Sequence, residues 1–123
     1  MFERVQALAV YVTDKERAKE FYTRVLGFEL AHDLGPDLCF LRSANNEIYI
    51  YLEGGMRRGA IDNRTCRLAF FLHTGEPAAA AFARLKAAGV KLLQDAPEAV
   101  SDDTACFQFE DPDGNILEAC GSV

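Results

Sequence analysis

The chain has 123 residues, half of them hydrophobic, and it carries a formal net charge of −6. This length fits one domain that buries its own core, and the acidic charge argues against nucleic acid as a partner. We find no signal-peptide pattern and no apolar run near the roughly 20 residues of a membrane span. We therefore expect a cytoplasmic protein without a membrane partner.

The first half of the chain predicts a strand, a helix and three further strands. Residues 5–12 alternate and are rich in β-branched and aromatic side chains, which is typical of a strand. Thr13 or Asp14 then caps a helix that runs to about Leu26, and Gly27 marks its end. The strands that follow are predicted over residues 28–33, 38–43 and 47–53, with residues 44–46 as the turn between the last two.

The second half predicts the same order of elements. Residues 67–72 form a strand, and Glu76 with Pro77 opens a helix that Gly89 ends. Residues 111–114, Asp-Pro-Asp-Gly, carry Pro and Gly at the second and fourth positions of a turn. The remaining strands are predicted over residues 90–94, 104–110 and 115–120.

The two halves resemble two copies of one unit. Residues 39–54 align without a gap with residues 106–121 at an offset of 67, and residues 7–12 align with residues 67–72 at an offset of 60. These repeats predict an α+β fold made of two βαβββ modules in tandem. The modules cover about residues 1–58 and 62–123 of a single domain that spans residues 1–123.

Each sheet is expected to have one face under its helix and one open face, because side chains alternate along a strand. The residues predicted to pack under the helices are Leu8, Val10, Val12, Ile48, Ile50, Leu52, Leu68, Phe70, Leu72, Leu117 and Ala119. The open faces carry the candidate binding residues Tyr11, Tyr49, Tyr51, Arg67, Phe71 and Glu118. Aromatic rings beside small alanines, with a few polar groups, favour a small-molecule pocket. A half-exposed sheet surface is the alternative.

The cysteines and histidines carry weaker signals. Cys39, Cys66, Cys106 and Cys120 form no CxxC pair and no zinc-type spacing, so we expect thiols that pack as small hydrophobes. His32 lies late in the second strand, and His73 follows the fifth strand at the start of the helix. The roles of both histidines stay open.

Two stretches of the chain resemble the vicinal-oxygen-chelate superfamily, which includes glyoxalases, bleomycin resistance proteins and extradiol dioxygenases. They are VTDKERAKEFYTRVLGFEL, residues 12–30, and FEDPDGNILEA, residues 109–119. With the repeat, the resemblance covers nearly the whole chain. It implies that the two modules form one curved, mixed eight-stranded sheet with a concave cavity. It does not imply one function, because the superfamily includes isomerases, lyases, dioxygenases and antibiotic-binding proteins.

The resemblance also implies where a metal would be bound in the enzymes of the superfamily. The four ligand positions correspond to Ala7, Tyr51, Arg67 and Glu118, and only Glu118 is suited to hold a metal ion. Arg67 would place a permanent positive charge where the cation should lie. We therefore expect no metal cofactor, and an Arg67–Glu118 ion pair in its place. A divalent metal is the disfavoured alternative. Neither histidine aligns with a ligand position.

Three functions remain open at this point. The first is binding of a small organic molecule without metal by a homodimer, which resembles the metal-free bleomycin-binding members of the superfamily. The second is a lyase, isomerase or dioxygenase, of which a metal-free form would use Glu118 as base, Arg67 to hold an oxyanion and Tyr51 as proton donor. Whether the chain is an enzyme stays open, and an arginine beside Glu118 would make it a poor base. The third is a non-catalytic dimerisation module whose tyrosine-lined face is the interface. The pattern does not show whether the dimer pairs modules within or between chains.

Overall fold

The computed structural model describes residues 1, 3, 7–43, 48–54 and 71–123, and the chain divides into two compact units, Met1–Asp62 and Asn63–Val123. The described residues form one sheet of four strands and one of five, with a helix packed on each. The fold is therefore mixed α+β, as predicted. The single eight-stranded curved sheet stays a prediction. Within the described ranges, no helix has the length and apolar character that crossing a membrane requires.

The sheet of the first unit has four strands. They are β1 (Ala7–Tyr11), β2 (Glu29–Asp33), β3 (Leu38–Arg42) and β4 (Tyr49–Glu53), arranged in the order β1-β4-β3-β2. The β1 and β4 strands run parallel, which requires the helix to cross over between them, and the other neighbours are antiparallel. The predicted turn at residues 44–46 lies outside the described residues.

The helix of the first unit begins where the sequence predicts. The Asp14 carboxylate accepts a hydrogen bond of 3.2 Å from the Arg17 backbone N–H, which caps helix α1 (Lys15–Glu20). The chain continues through a π-helical turn over Phe21–Val25 and stops at Gly27, whose φ of 84° suits glycine best. The predicted helix to about Leu26 is thus one helical segment with two kinds of turn.

The core of the first unit lies between its sheet and its helix. The buried residues are Val10, Val12, Ala18, Tyr22, Cys39, Leu41, Ile50 and Leu52. Val10 and Val12 of the first strand and Ile50 and Leu52 of the fourth are among the residues predicted to pack there, so the face assignment of these two strands is confirmed.

The second unit repeats this arrangement with one additional short strand. Its elements are β5 (Phe71–Pro77), α2 (Ala78–Ala87), β6 (Lys91–Leu92), β7 (Glu98–Ala99), β8 (Thr104–Glu110) and β9 (Ile116–Ser122). The order is β5-β9-β8-β6, and β7 also pairs with β8. The sequence predicted no helix or strand between residues 94 and 104, where β7 lies, because two residues are too few to show an alternating pattern.

The end of β5 differs from the prediction. The pairing with β9 continues to Pro77, which lies opposite Ser122, with an irregularity after His73. Helix α2 therefore begins at Ala78, and Pro77 occupies its N-cap position instead of its first turn. His73 lies within the strand, exposed and opposite Cys120, and the expectation that it lies at the helix start is wrong.

The strand pairings refine the internal repeat. Tyr51 lies opposite Ala9 and Phe40, whereas Glu118 lies opposite Phe71 and Gln108. We take Tyr51 and Glu118 as equivalent, with residue numbers that differ by 67. Their strand partners then give Phe71 of β5 as the equivalent of Ala9 of β1, a difference of 62, and Gln108 of β8 as the equivalent of Phe40 of β3, a difference of 68. The gapless alignment had paired Cys39 with Cys106. The register instead gives Cys39 a helix-facing position and Cys106 an open-face position, because a shift of one residue exchanges the two faces.

Two glycines occupy equivalent positions in the two units. A Cβ on Gly54 would lie 3.0 Å from the Cβ of Lys15, and a Cβ on Gly121 would lie 2.6 Å from the carbonyl oxygen of Glu76. In both units the chain at the end of the last strand passes close to the start of the helix. Glycine is required there because any side chain would occupy the space of the helix start.

Candidate functional site

The open face of the first sheet carries a cluster of aromatic rings, His32, Phe40, Tyr49 and Tyr51, which we call the aromatic face. Phe40 stacks on Tyr51 with ring centroids 5.0 Å apart and an interplanar angle of 24°. Tyr49 meets Phe40 edge to face at 6.0 Å, and His32 lies 6.4 Å from Tyr49. These distances are those of favourable aromatic pairs, so the rings form one continuous surface.

The strand register explains why these rings meet. Phe40 lies opposite Tyr51 across β3 and β4, and His32 lies opposite Phe40 because β2 has an irregularity just before it. On the other side of β4 the neighbours are small, since Ala9 lies opposite Tyr51 and Ala7 lies opposite Tyr49. Alanine methyl groups leave space beside the two tyrosine rings that larger side chains would fill.

A polar edge borders the aromatic face. Burial raises the pKa of Tyr51, and so do the nearby carboxylate of Glu53 and the hydrogen bond that this carboxylate accepts from the Tyr51 hydroxyl. The Tyr51 hydroxyl therefore stays protonated near neutral pH. Tyr11 lies opposite Glu53 on β1 and is 47% exposed. This edge offers a carboxylate and phenol groups as hydrogen-bonding partners for a ligand.

The structure brings together some of the sequence-predicted binding residues. Tyr11, Tyr49 and Tyr51 share the open face of the first sheet. Glu118 lies on the open face of the second sheet, opposite the backbone of Phe71, whose side chain is not among the described ones. Arg67 lies outside the described residues, so its ion pair with Glu118 stays a prediction.

Sequence reasoning missed Phe40 and His32. Both lie on strands whose faces were not assigned. The predicted three-residue turn at 44–46 would place Phe40 opposite Ile50 on the helix side, whereas the structure places it opposite Tyr51. Alternation along β3 shows only that Phe40 and Leu41 face opposite ways. The burial of Leu41 under the helix decides which one is open.

The open face of the second sheet has a different chemistry. Glu118 accepts a hydrogen bond of 3.3 Å from the side-chain amide of Gln108. Cys106 and Cys120 lie opposite each other two residues further along the two strands and form a disulfide. The exposed His73 is the β5 partner of Cys120. This face is polar and sulfur-containing where the first is aromatic.

The disulfide corrects the expectation that all cysteines stay thiols. Cys106 and Cys120 are 14 residues apart, and antiparallel pairing brings their Cα atoms to 4.2 Å. Spacing alone could not show this, because it depends on the register of β8 and β9. Cys39 is free and buried, and burial raises the pKa of its thiol to about 11, so it packs as the predicted small hydrophobe. Cys66 lies outside the described residues.

A comparison with protein families identifies the class of the chain. The family described as Glyoxalase/Bleomycin resistance protein/Dioxygenase superfamily matches residues 4–119. The chain therefore belongs to this superfamily, as the sequence resemblance implied.

Three individual proteins are similar to the chain in sequence or in fold. The chain is 30% identical to the uncharacterized protein YetH of Bacillus subtilis (strain 168), over 95% of this chain and 97% of that protein. Its fold is similar to that of TnmS3, an antibiotic binding protein from Streptomyces sp. CB03234, with a TM-score of 0.77 and 25% identity over 99% of this chain and 98% of that one. Lactoylglutathione lyase from Agrobacterium tumefaciens has a TM-score of 0.73 at 17% identity, over 98% and 95% of the two chains, and shares the fold.

The side chains at the metal-ligand positions implied by the resemblance do not fit a divalent metal. Ala7 offers no donor atom, and the raised pKa of Tyr51, caused first by burial, keeps it a neutral phenol. Glu118 remains as one carboxylate. Among the described residues, Cys106, Glu118 and Cys120 place possible ligand atoms within 4.8 Å of one another. The two sulfur atoms are joined in the disulfide, however, and are not thiolates.

Proposed function

We propose that this protein binds a small organic molecule with a planar ring system on the aromatic face, without a metal ion. The observation that carries the proposal is the stack of Phe40 on Tyr51, with Tyr49 at its edge. Half-buried rings beside alanines present flat apolar area that a planar ligand covers at small conformational cost.

The polar edge would orient the ligand. The carboxylate of Glu53 and the exposed Tyr11 border the rings. A ligand with a hydrogen-bond donor or a cationic group at one end of its ring system therefore fits this face best, and the net charge of −6 favours its approach. Arg67, Phe71 and Glu118 stay in the proposal as further binding residues.

Membership of the superfamily and the similarity to TnmS3 support this proposal. TnmS3 is an antibiotic binding protein and is 25% identical to this chain. We extend the proposal to planar aromatic antibiotics as the first ligands to test.

We also propose that the protein is a homodimer, and sedimentation velocity should give twice the 13.6 kDa chain mass. A monomer at all concentrations would contradict the dimer and leave the binding face untouched.

A thermal-shift screen tests the binding proposal. The panel should contain planar aromatic antibiotics, aromatic acids and thiol adducts, because a ligand that binds the folded state raises the melting temperature. We expect a planar aromatic compound to bind, and Phe40→Ala to weaken it about tenfold, which corresponds to about 1.4 kcal/mol. Circular dichroism would verify that the variant is folded.

Leu93→Ala is the matched control. Leu93 is an exposed apolar residue of the second unit, so its loss should leave affinity unchanged. If no planar compound binds, or if Phe40→Ala and Leu93→Ala bind equally well, the aromatic face is not the binding site.

A further inference from the structure

We infer that Cys106 and Cys120 form a reversible thiol–disulfide exchange site that reacts with small cationic thiols and disulfides. This site lies on the second unit, and its test does not depend on ligand binding to the aromatic face. The two cysteines lie opposite each other within the β8–β9 ladder, which is paired from Thr104 and Ser122 to Glu110 and Ile116. The pairing of β8 with β9 on both sides of the disulfide keeps the two cysteine side chains close to each other. The S–S bond can therefore break and form again without rearrangement of the sheet.

The two sulfurs differ in access. Cys106 is buried, with 7% of its surface exposed, whereas Cys120 is half-buried. An incoming thiolate therefore attacks Sγ of Cys120. The bond between the two cysteines breaks, Cys106 leaves as a thiolate and takes a proton, and a mixed disulfide remains on Cys120. A second thiolate attacks this mixed disulfide. In the net reaction two small thiols reduce the bridge to two protein thiols and become one small disulfide.

Oxidation runs through the same intermediate. The Cys120 thiolate attacks a small disulfide and releases one small thiol, and Cys106 then displaces the second. The small disulfide is the oxidant and accepts the two electrons. The reaction needs no group beyond the two cysteines and the small disulfide.

The charges around the bridge select the reactant. Glu118 lies two residues before Cys120 on the same face of β9, and Glu98 lies opposite Cys106 across β7 and β8. The exposed His73 of β5 also lies opposite Cys120. The Glu98 carboxylate and the net charge of −6 repel anionic reactants and attract cationic ones, and the predicted Arg67–Glu118 ion pair would not reverse this because the pair is neutral.

Reaction with three small disulfides tests the inference. The probes are cystamine, which is cationic, 2-hydroxyethyl disulfide, which is uncharged, and the disulfide of 2-mercaptoethanesulfonate, which is anionic. The reduced Cys66→Ser variant has three cysteines, and oxidation of the pair should leave the single thiol of Cys39, counted by thiol titration in denaturant. At pH 8 and low salt we expect cystamine to react about tenfold faster than the anionic probe. Because salt screens surface charges, 0.5 M NaCl should largely remove this difference.

Cysteine variants locate the attacked sulfur. In the same background, Cys106→Ser should form a stable mixed disulfide on Cys120, seen by mass spectrometry as the added mass of one half of the probe. Cys120→Ser should react at least tenfold more slowly, since Cys106 is buried. Cys39→Ser is the matched control and should leave the rate of bridge formation unchanged.

Four results would overturn the inference. They are a reduced pair that does not close with any probe, a bridge that dithiothreitol cannot open in the folded protein, equal rates for cationic and anionic probes at low salt, and a first mixed disulfide on Cys106. If the folded state is lost in either cysteine variant, peptide mapping of the mixed disulfide in the Cys66→Ser protein, trapped at early times, identifies the attacked sulfur.

Discussion

Among the glycines that the structure describes, Gly121 is the one where a Cβ would meet the closest neighbours. A Cβ there would approach the Glu76 carbonyl oxygen to 2.6 Å and the Ala78 backbone nitrogen to 3.0 Å, and it would also meet the Thr74 hydroxyl. The backbone at the start of α2 would have to move. We expect Gly121→Ala to lower the free energy of unfolding by about 1–3 kcal/mol, measured by urea denaturation.

Gly75→Ala provides the control for this substitution. A Cβ on Gly75 would meet no atom within 4 Å, and Gly75 has no positive φ. Its replacement by alanine should change the free energy of unfolding by less than about 0.5 kcal/mol. Equal effects of the two substitutions would show that the close approach at Gly121 does not exist.

A second residue-level feature is an ion cluster around Lys15. The side chain of Lys15 is almost fully buried, and its ammonium donates to Asp33 at 2.6 Å and to the Gly35 carbonyl oxygen at 2.8 Å. Hydrogen bonds from Lys15 and then from Lys19 lower the pKa of Asp33. The hydrogen bonds that Lys15 donates to Asp33 and then to Glu16 raise the pKa of Lys15 in turn. The buried ammonium is tolerated because carboxylates surround it.

This cluster gives the protein a defined acid sensitivity. The pKa of Asp33 is lower in the folded state than its ordinary value of 3.8. The contribution of Asp33 to the stability of the folded state is therefore complete above about pH 4 and is lost as the pH falls through the folded pKa. We expect the melting temperature to decrease when the pH drops below 4. The Asp33→Asn variant should have a lower melting temperature at pH 7 and lose less of it on acidification. If the melting temperatures of the two proteins decrease in parallel from pH 7 to pH 2.5, Asp33 has no such role.

At the scale of elements, each helix ends at a glycine with a positive φ, 84° at Gly27 and 79° at Gly89. A Cβ on Gly89 would meet nothing within 4 Å, so its cost is conformational alone. We expect Gly89→Ala to destabilise the protein by about 1 kcal/mol, since left-handed backbone costs that much for residues with a side chain. Gly89→Asn should recover part of the loss in the same urea experiment, because asparagine adopts this conformation more readily. No loss in the alanine variant would contradict this explanation of the helix end.

Element order and the faces of β1 and β4 followed from local pattern. The caps, the terminal glycines and the period-2 alternation each involve only a few neighbouring residues, so both helices and the core residues of β1 and β4 could be predicted. The register of β3 against β4 could not, because it depends on the exact length of a turn. Because of this uncertainty of one residue, the sequence did not assign Phe40 to the aromatic face and did not pair Cys106 with Cys120.

At the scale of the whole molecule, one duplicated unit carries two kinds of open face. In the first unit the position of Tyr51 belongs to an aromatic stack, and in the second the equivalent position holds Glu118 beside Gln108 and the disulfide. The scaffold positions that the repeat shares are those of the core and of the glycines at the helix starts. The open-face residues differ, and they determine what each unit can bind or react with.

That the site binds its ligand without metal stays a prediction, and it follows from side-chain identity, because Ala7 offers no donor atom. The ligand could not be predicted, since flat aromatic area is compatible with many planar molecules. The function proposed for this member of the superfamily rests on the aromatic face, and the proposed independence of metal is what distinguishes it from the metalloenzyme alternative.

Isothermal titration calorimetry of a planar aromatic compound from the thermal-shift panel, with and without EDTA, is the most direct test of whether the aromatic face binds its ligand without metal. We expect the same dissociation constant in both buffers, within about twofold, and about tenfold weaker binding by Phe40→Ala in each, because ring stacking and not metal coordination holds the ligand. Binding that EDTA abolishes and added zinc or nickel restores, with Phe40→Ala unaffected, would contradict the account.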